Sequence, residues 1–302
     1  IRDRLYALFG GKTHDLVLLI GTHVDDIKGC STKEEARRFL KHLETHVGQC
    51  TQEWETFVHT GIEHEREPDG SVYLHQNPHP NQLSPMQVTH PKGKPDEELV
   101  DPPTPSSYMS LLGGVAWMAW TRVDLLVYIQ ALQRHGSAPR VCDCKRLSPC
   151  LRYMKQTKCG IRYKPLPTQD VNSLRLLSVS DAAFKALPDC SSGLALRGYN
   201  TLLTTEPPES TSPILQAGGP IKHLVDFGCR RQRRVVRSTF GAEINGAIDT
   251  LESGYLLQLA FSEIFFPAVD AQHGLLSSSV DTLRKNVEEG SIKPPLHLAI
   301  DA

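Results

Sequence analysis

The chain has 302 residues, a formal net charge of −1 and eight cysteines. A chain of this length is expected to form two domains. Because the net charge is close to zero, the protein as a whole has no excess of positive charge with which to attract an anionic partner. Eight cysteines in a chain of this length, with no signal peptide, do not indicate a disulfide scaffold. Because no apolar run approaches the ~20 residues that cross a bilayer, we expect an intracellular protein with reduced thiols and no membrane partner.

The first predicted element is a hairpin with acidic residues at its tip. The run LVLLIGTHVDDI carries an apolar strand into Asp25 and Asp26, and a second strand follows. Side chains alternate along a strand, so only one of these carboxylates can point into a given site. That geometry suits Mg²⁺, which takes one or two protein carboxylates. The alternative is a polar turn that holds no ligand.

An amphipathic helix and a second hairpin follow. Ser31 and Glu34 predict a capping box before a helix with apolar residues at helical spacing. Asp69 and Gly70 suit a tight turn between two further strands, so this region predicts an α+β sheet with helices on one side. From Asn77 to Pro105 eight prolines interrupt any regular element, which predicts an irregular arm.

Residues 106–158 are predicted to form a small helical unit, because apolar side chains recur there with helical periodicity. These residues are Tyr108, Leu111, Leu112, Val115, Ala116, Leu147, Leu151 and Met154. Trp117 and Trp120 fall on the same stretch and are predicted to be core rather than base-stacking residues.

The last part of the chain predicts a second α/β pattern. LLSVSDAAF is typical of a strand that carries Asp181, and a Pro-, Ser- and Gly-rich loop is predicted from Thr204 to Pro220. A long helix over Val235–Leu259 contains Glu243, and a short strand over Leu296–Ile300 ends in Asp301. Acids on separate elements can converge on two Mg²⁺ ions, which clamp the attacking water and the leaving oxygen of a phosphodiester.

Basic residues concentrate in two stretches. The stretch from Arg140 to Lys164 contains eight Lys or Arg residues and one acidic residue, Asp143. The stretch from Arg230 to Arg237 contains five arginines. The stretches predict a local anionic partner, and the alternative is a solvated face balanced by acids elsewhere.

Several motifs, in one order along nearly the whole chain, carry a resemblance to a known family. They are Val24-Asp25-Asp26, GIEHEREPDGSVYLHQ at 61–76, Thr121-Arg122 with Asp124, RYMK at 152–155, Ser180-Asp181, and RSTFGAE, which closes on Glu243. They resemble the C-terminal part of the polyprotein of copia-like long-terminal-repeat retrotransposons. That part runs from the palm of the reverse transcriptase into the ribonuclease H domain.

The resemblance implies a fold in three parts, of mixed α+β and α/β class. Residues 1–105 would be a partial reverse-transcriptase palm with the proline-rich arm, and residues 106–165 a helical connection. Residues 166–302 would be a ribonuclease H-like mixed sheet with helices, truncated at its C-terminus. Nucleotidyl transfer on an RNA template and hydrolysis of the RNA–DNA hybrid are the implied activities, in a cytoplasmic particle or the nucleus.

The resemblance also implies roles for individual residues. Asp25 and Asp26 would bind catalytic Mg²⁺ or Mn²⁺ in the polymerase motif, and Asp181, Glu243 and Asp301 would hold the two ribonuclease metals. Asp270 remains an alternative to Asp301. A hybrid or a template–primer would be contacted through its backbone by Arg152, Lys155, Arg230, Arg231, Arg233 and Arg234.

Two departures bear on activity. His23 stands at the tyrosine position of the polymerase motif, and the first palm aspartate of the family would precede Ile1. We therefore expect that this chain alone does not polymerise. The competing hypothesis is a decayed or domesticated copy that keeps the fold and binds nucleic acid without turnover.

Overall fold

The computed structural model describes residues 4–10, 16–24, 26–86, 95–101, 104–168, 170–183, 195–205, 221–232, 236, 238–266, 286 and 289–300. Over these residues the chain is a mixed α+β structure with three β-sheets and six α-helices. The predicted loop from Thr204 to Pro220 lies outside the described residues from residue 206 onward. None of the helices in these ranges combines the length and apolar composition needed to cross a membrane.

The first sheet is an antiparallel meander that carries the predicted hairpin. It consists of β1 (Arg4–Phe9), β2 (Leu16–His23) and β3 (Asp26–Ser31) in the order β1-β2-β3. Helix α1 (Lys33–Val47) follows, and its N-cap is Thr32, whose side chain accepts a hydrogen bond from the Glu35 backbone N–H. The predicted cap was therefore one residue early, because the threonine hydroxyl is the oxygen that satisfies the first turn.

The second sheet joins segments that are distant in sequence. Its strands are β4 (Thr56–His59), β5 (Ile62–Arg66), β6 (Val72–His75) and β7 (Gly160–Tyr163), in the order β4-β5-β6-β7. The predicted Asp69-Gly70 turn joins β5 to β6, with Gly70 at φ 84°. In that turn, Asp69 Oδ1 accepts from the Ser71 N–H at 2.9 Å. Strand β7 comes from beyond the helical unit, a pairing that local sequence patterns do not indicate.

The helical unit has the core that periodicity predicted. It comprises α2 (His79–Gln82), α3 (Thr104–Trp117), α4 (Leu126–Gln133) and α5 (Val141–Gln156). The predicted residues Tyr108, Leu111, Leu112, Val115, Leu147, Leu151 and Met154 are all buried in one cluster. The core assignment of Trp117 and Trp120 was wrong, since their side chains are 41% and 63% exposed.

Arg122 is the largest fully buried side chain of the described residues. Its Nε and Nη2 donate to the two carboxylate oxygens of Asp124 at 2.9 and 2.8 Å. Its Nη1 donates to the carbonyl oxygen of Thr157 at 2.8 Å, at the end of α5. The guanidinium thus fixes the turn from which the chain enters β7.

The third sheet is mixed. Strands β8 (Arg175–Ala183), β9 (Leu196–Thr204), β10 (His223–Arg231) and β11 (Leu296–Ile300) have the order β10-β9-β8-β11. The β10–β9 and β9–β8 pairs are antiparallel, and β11 is parallel to β8. Helix α6 (Thr239–Phe265) begins four residues later than predicted, after Ser238, whose Oγ accepts from the Gly241 N–H at 3.1 Å.

Helix α6 lies close against β8, and Gly254 has no side chain at the tightest point of this contact. A Cβ atom at Gly254 would lie 2.6 Å from Ser178 Oγ, and one at Gly246 would lie 3.6 Å from Ala182 Cβ. A larger residue at position 254 would therefore force the Ser178 side chain or the helix to shift, whereas the contact at position 246 is an ordinary van der Waals distance. The contact places the first turns of α6 beside the C-terminal end of β8.

Strand β7 also connects the second sheet to the third. The Tyr163 hydroxyl donates to the Leu224 carbonyl of β10 at 2.7 Å, and His223 Nε2 donates to the Lys164 carbonyl at 2.6 Å. The same short strand therefore pairs with β6 and holds β10.

Arg122→Ala is expected to lower the free energy of unfolding by about 3 kcal/mol, because it leaves Asp124 without its partner and Thr157 without a donor. Urea unfolding followed by far-ultraviolet circular dichroism measures the change. Arg152→Ala, at an exposed position of α5, is the control and should stay within about 0.5 kcal/mol of wild type. Equal losses in the two variants would contradict the anchoring role of Arg122.

Candidate metal-binding and nucleic-acid-binding residues

The predicted polymerase motif lies at the β2–β3 hairpin. His23 ends β2 and faces Asp26, the first residue of β3, as its pairing partner. Val24 has φ 54°, a left-handed conformation that is rare for a β-branched residue and marks a strained turn. The Asp26 side chain is exposed, and Asp25 lies outside the described residues.

A lysine and two histidines lie beside this hairpin. The Nδ1–H of His64 donates to the Ile62 carbonyl at 3.0 Å, so its Nε2 is free to accept from Lys28 Nζ at 2.6 Å. Burial, reinforced by the Lys28 charge, lowers the pKa of His64 to about 4. Burial and Lys28 also lower the pKa of His59. Both rings are therefore neutral at pH 7.

The predicted ribonuclease acids Asp181 and Glu243 come from β8 and α6. Glu243 Oε1 accepts a hydrogen bond from the Ala182 N–H at 3.3 Å, directly next to Asp181. Ala182 lies beyond the last β8–β11 pair, Ser180 with Ile300, so its N–H has no partner from β11. Because backbone N–H groups point along the plane of a sheet, the Glu243 carboxylate lies at the edge of β8.

Asp181 lies on the face of β8 that is turned away from α6. Ser178, Ser180 and Ala182 are buried on the side of α6, and alternation along the strand places Asp181 on the opposite, exposed side. Asp181 and the residue that binds Glu243 are thus consecutive in β8, but the Asp181 side chain and helix α6 lie on opposite faces of the sheet. Asp301 and Asp270 lie outside the described residues; Ile300, which precedes Asp301, ends β11.

Four of the six cations that are predicted to contact a nucleic-acid backbone are exposed in the structure. Arg152, Lys155, Arg230 and Arg231 are exposed, whereas Arg233 and Arg234 lie outside the described residues. Lys155 Nζ donates to the Leu83 carbonyl at 2.8 Å, so this ammonium also fastens α5 to the arm.

Other cations of the first basic stretch are paired with acids. Arg140 pairs with Glu97, Lys145 Nζ lies 2.6 Å from Asp96 Oδ1, and Arg162 Nε lies 2.9 Å from Glu67 Oε2. The stretch is therefore partly neutralised within the fold. Among the predicted contacts, Arg152, Lys155 and Arg230 form no such ion pair within the described residues. Arg231 has a further interaction.

Sequence patterns missed a group that could hold a metal ion. Within the described ranges, Glu63, Glu65 and His75 form one such group, with ligand atoms within 4.8 Å of one another. Glu63 and Glu65 share a face of β5, and His75 lies on β6 as the pairing partner of Glu63. The E-x-E spacing on a strand was the available signal, but the contribution of His75 depends on the register of the hairpin.

The clustered cysteines are not part of any such group. Cys142 and Cys144 are buried free thiols on α5. Burial, with the charge of Asp143, raises the pKa of the Cys144 thiol to about 11, so it stays protonated at neutral pH. A protonated thiol is a poor metal ligand, since metals bind the thiolate.

Comparisons of the chain with protein-family models, with curated proteins and with solved structures gave no match.

The stability of the fold is expected to fall as the pH drops from about 6.5 to about 4. Unfolded His64 takes up a proton near its ordinary pKa of 6.5, whereas folded His64 resists protonation down to about 4, so acid favours the unfolded chain. Urea unfolding at a series of pH values measures this slope. His64→Gln should flatten it, and His42→Gln, at an exposed position of α1, should not. An unchanged slope in His64→Gln would contradict the assignment.

Proposed function

We propose that this chain is a fragment of a copia-like retrotransposon polyprotein, and that its third sheet supports hydrolysis of RNA paired to DNA. The polymerase motif at the β2–β3 hairpin is then a remnant of RNA-directed DNA polymerase. One observation carries the proposal: Glu243 of α6 reaches the edge of β8 directly beside Asp181. The resemblance names both acids, and Glu243 accepts a hydrogen bond from the residue that follows Asp181.

The residue types present are those that bind a divalent metal. Carboxylate oxygens are the donors that Mg²⁺ and Mn²⁺ prefer, and Asp181 and Glu243 would hold the ions, with Asp301 as the predicted third acid. A bound ion of this kind lowers the pKa of water and neutralises charge on the phosphate. Within the chain itself, the Ala182 N–H fixes the orientation of the Glu243 carboxylate. The exposure of Asp181 leaves its carboxylate accessible to a substrate backbone.

Exposed cations support a nucleic-acid substrate. Arg230 and Arg231 lie at the end of β10, and Arg152 and Lys155 lie on the last turns of α5. Such residues add affinity for phosphates without selecting a base sequence, which suits an enzyme that must act along a whole hybrid.

Asp181→Asn is expected to reduce Mn²⁺-dependent cleavage of a labelled RNA–DNA hybrid by at least about a hundredfold, because it removes a charged ligand while preserving shape. Glu243→Gln should have the same effect. The full chain is incubated with hybrid and Mn²⁺, and the RNA products are resolved by electrophoresis. Glu252→Gln, at an exposed position of the same helix, is the matched control and should retain activity.

Equal cleavage by wild type and Asp181→Asn would refute the nuclease proposal. Binding of the hybrid without cleavage by any of these proteins would refute it as well, and would identify a copy that keeps only nucleic-acid binding.

Hybrid affinity is expected to fall steeply with added salt, because each phosphate contact releases a counterion. Arg152→Ala and Arg230→Ala should each reduce the slope of log Kd against log salt by about 1. Fluorescence anisotropy with a labelled hybrid measures the slope. Arg37→Ala, on the exposed side of α1, should leave it unchanged. A flat salt response in wild type would remove these residues from the interface.

A further inference from the structure

Two neighbouring strands of the second sheet bring three potential metal ligands together. Glu63 and Glu65 are two residues apart on β5, so their side chains leave the same face of the sheet. His75 on β6 is the direct cross-strand partner of Glu63. The hydrogen-bonded register of this hairpin therefore fixes the positions of all three side chains.

The distances between these groups match those around a small metal ion. His75 Nε2 lies 3.1 Å from Glu65 Oε1 and 3.6 Å from Glu63 Oε2. Ligands held at about 2.0–2.1 Å in a tetrahedron lie about 3.3–3.4 Å from one another. The two measured distances fall on either side of that value, so only small side-chain movements would complete the geometry.

The charge of the group also favours a cation. Within the described part of the chain, the ion-pair partner of both Glu63 and Glu65 is His75 alone. The nearby Arg162 is bound to Glu67 instead. Two carboxylates therefore share one imidazole, and their negative charge is not balanced by a lysine or an arginine.

His75 is held firmly in this position. The residue is only 5% exposed, and its ring lies 4.8 Å from that of Tyr73. Gly160 of β7 packs against it, since a Cβ atom there would lie 2.9 Å from His75 Cβ. The carboxylates are more open, with Glu63 and Glu65 side chains 29% and 45% exposed, which leaves a way for water and ions to enter.

We propose that Glu63, Glu65 and His75 bind a divalent transition-metal ion such as Zn²⁺, with water in the remaining position. One imidazole nitrogen with two carboxylate oxygens suits zinc and its neighbours better than Mg²⁺, which prefers oxygen ligands alone. This site is separate from the predicted acids at Asp26, Asp181 and Glu243. It does not rest on the proposed function.

Binding requires a proton to change position on His75. The Asn77 N–H donates to His75 Nδ1 at 3.3 Å, so without metal the ring proton is on Nε2, which donates to Glu65. The ion takes the Nε2 lone pair, the proton moves to Nδ1, and the long hydrogen bond from Asn77 is lost. No net proton is released by the ring, and the tautomer changes.

The experiment uses Co²⁺ as a spectroscopic substitute for Zn²⁺ and the full chain. Titration of wild type should produce the visible absorption of four-coordinate Co²⁺ without the intense near-ultraviolet band of thiolate ligands, which separates this site from the exposed Cys30 and Cys159. Glu65→Gln and His75→Gln should each weaken binding by at least about tenfold. Glu53→Gln, at an exposed position before β4, is the control and should bind as wild type does.

A second readout follows the histidine directly. Nitrogen-15 NMR of the imidazoles should show that the His75 proton moves from Nε2 to Nδ1 when Zn²⁺ is added. Because the Glu65 side chain is 45% exposed, Glu65→Gln is expected to fold, and its thermal unfolding confirms this. Equal Co²⁺ affinity in wild type and Glu65→Gln, or an unchanged His75 tautomer, would overturn the metal site and leave the nuclease proposal untouched.

Discussion

The buried guanidinium of Arg122 joins two segments of the helical unit, the turn at Asp124 and the end of α5. It is bound on one side to Asp124 and on the other to Thr157, where α5 ends. A buried charge is tolerated only when its donors are satisfied, so this arrangement holds the chain in one direction as it leaves the helical unit. Strand β7 follows at once, pairs with β6, and holds β10 through the Tyr163 hydroxyl. The path of the chain from α5 into β7 thus depends on a single ion pair and its neighbouring carbonyl.

Electrostatic pairing inside the fold also decides which charges remain for a partner. The first basic stretch, from Arg140 to Lys164, predicted a local anionic partner, but Arg140, Lys145 and Arg162 are bound to acids that come from distant segments. Near the hairpin of Asp26, burial keeps His59 and His64 neutral, so Lys28 is the principal positive group there. Arg152 on α5 and Arg230 on β10 are exposed and have no such acid partner within the described residues.

Local patterns predicted much of the architecture. The helical core, the Asp69-Gly70 turn, β8 and β11 were expected from periodicity and turn chemistry, which act over a few residues. The pairing of β7 with β6 and the meeting of Glu63, Glu65 and His75 were not expected, because both depend on register between strands. The exposure of Trp120 was missed for a related reason: an apolar stripe shows which residues share a face, but not how far the covering surface extends.

The close contact of α6 with β8 has a consequence for the reach of Glu243. The helix packs this close to the strand because Gly254 presents no methyl group to Ser178. A glutamate side chain spans only a few ångströms, so a helix standing higher above the sheet would leave the Ala182 amide beyond its carboxylate. A glycine, which has no functional group, therefore determines the distance between α6 and β8 on which the hydrogen bond of Glu243 depends.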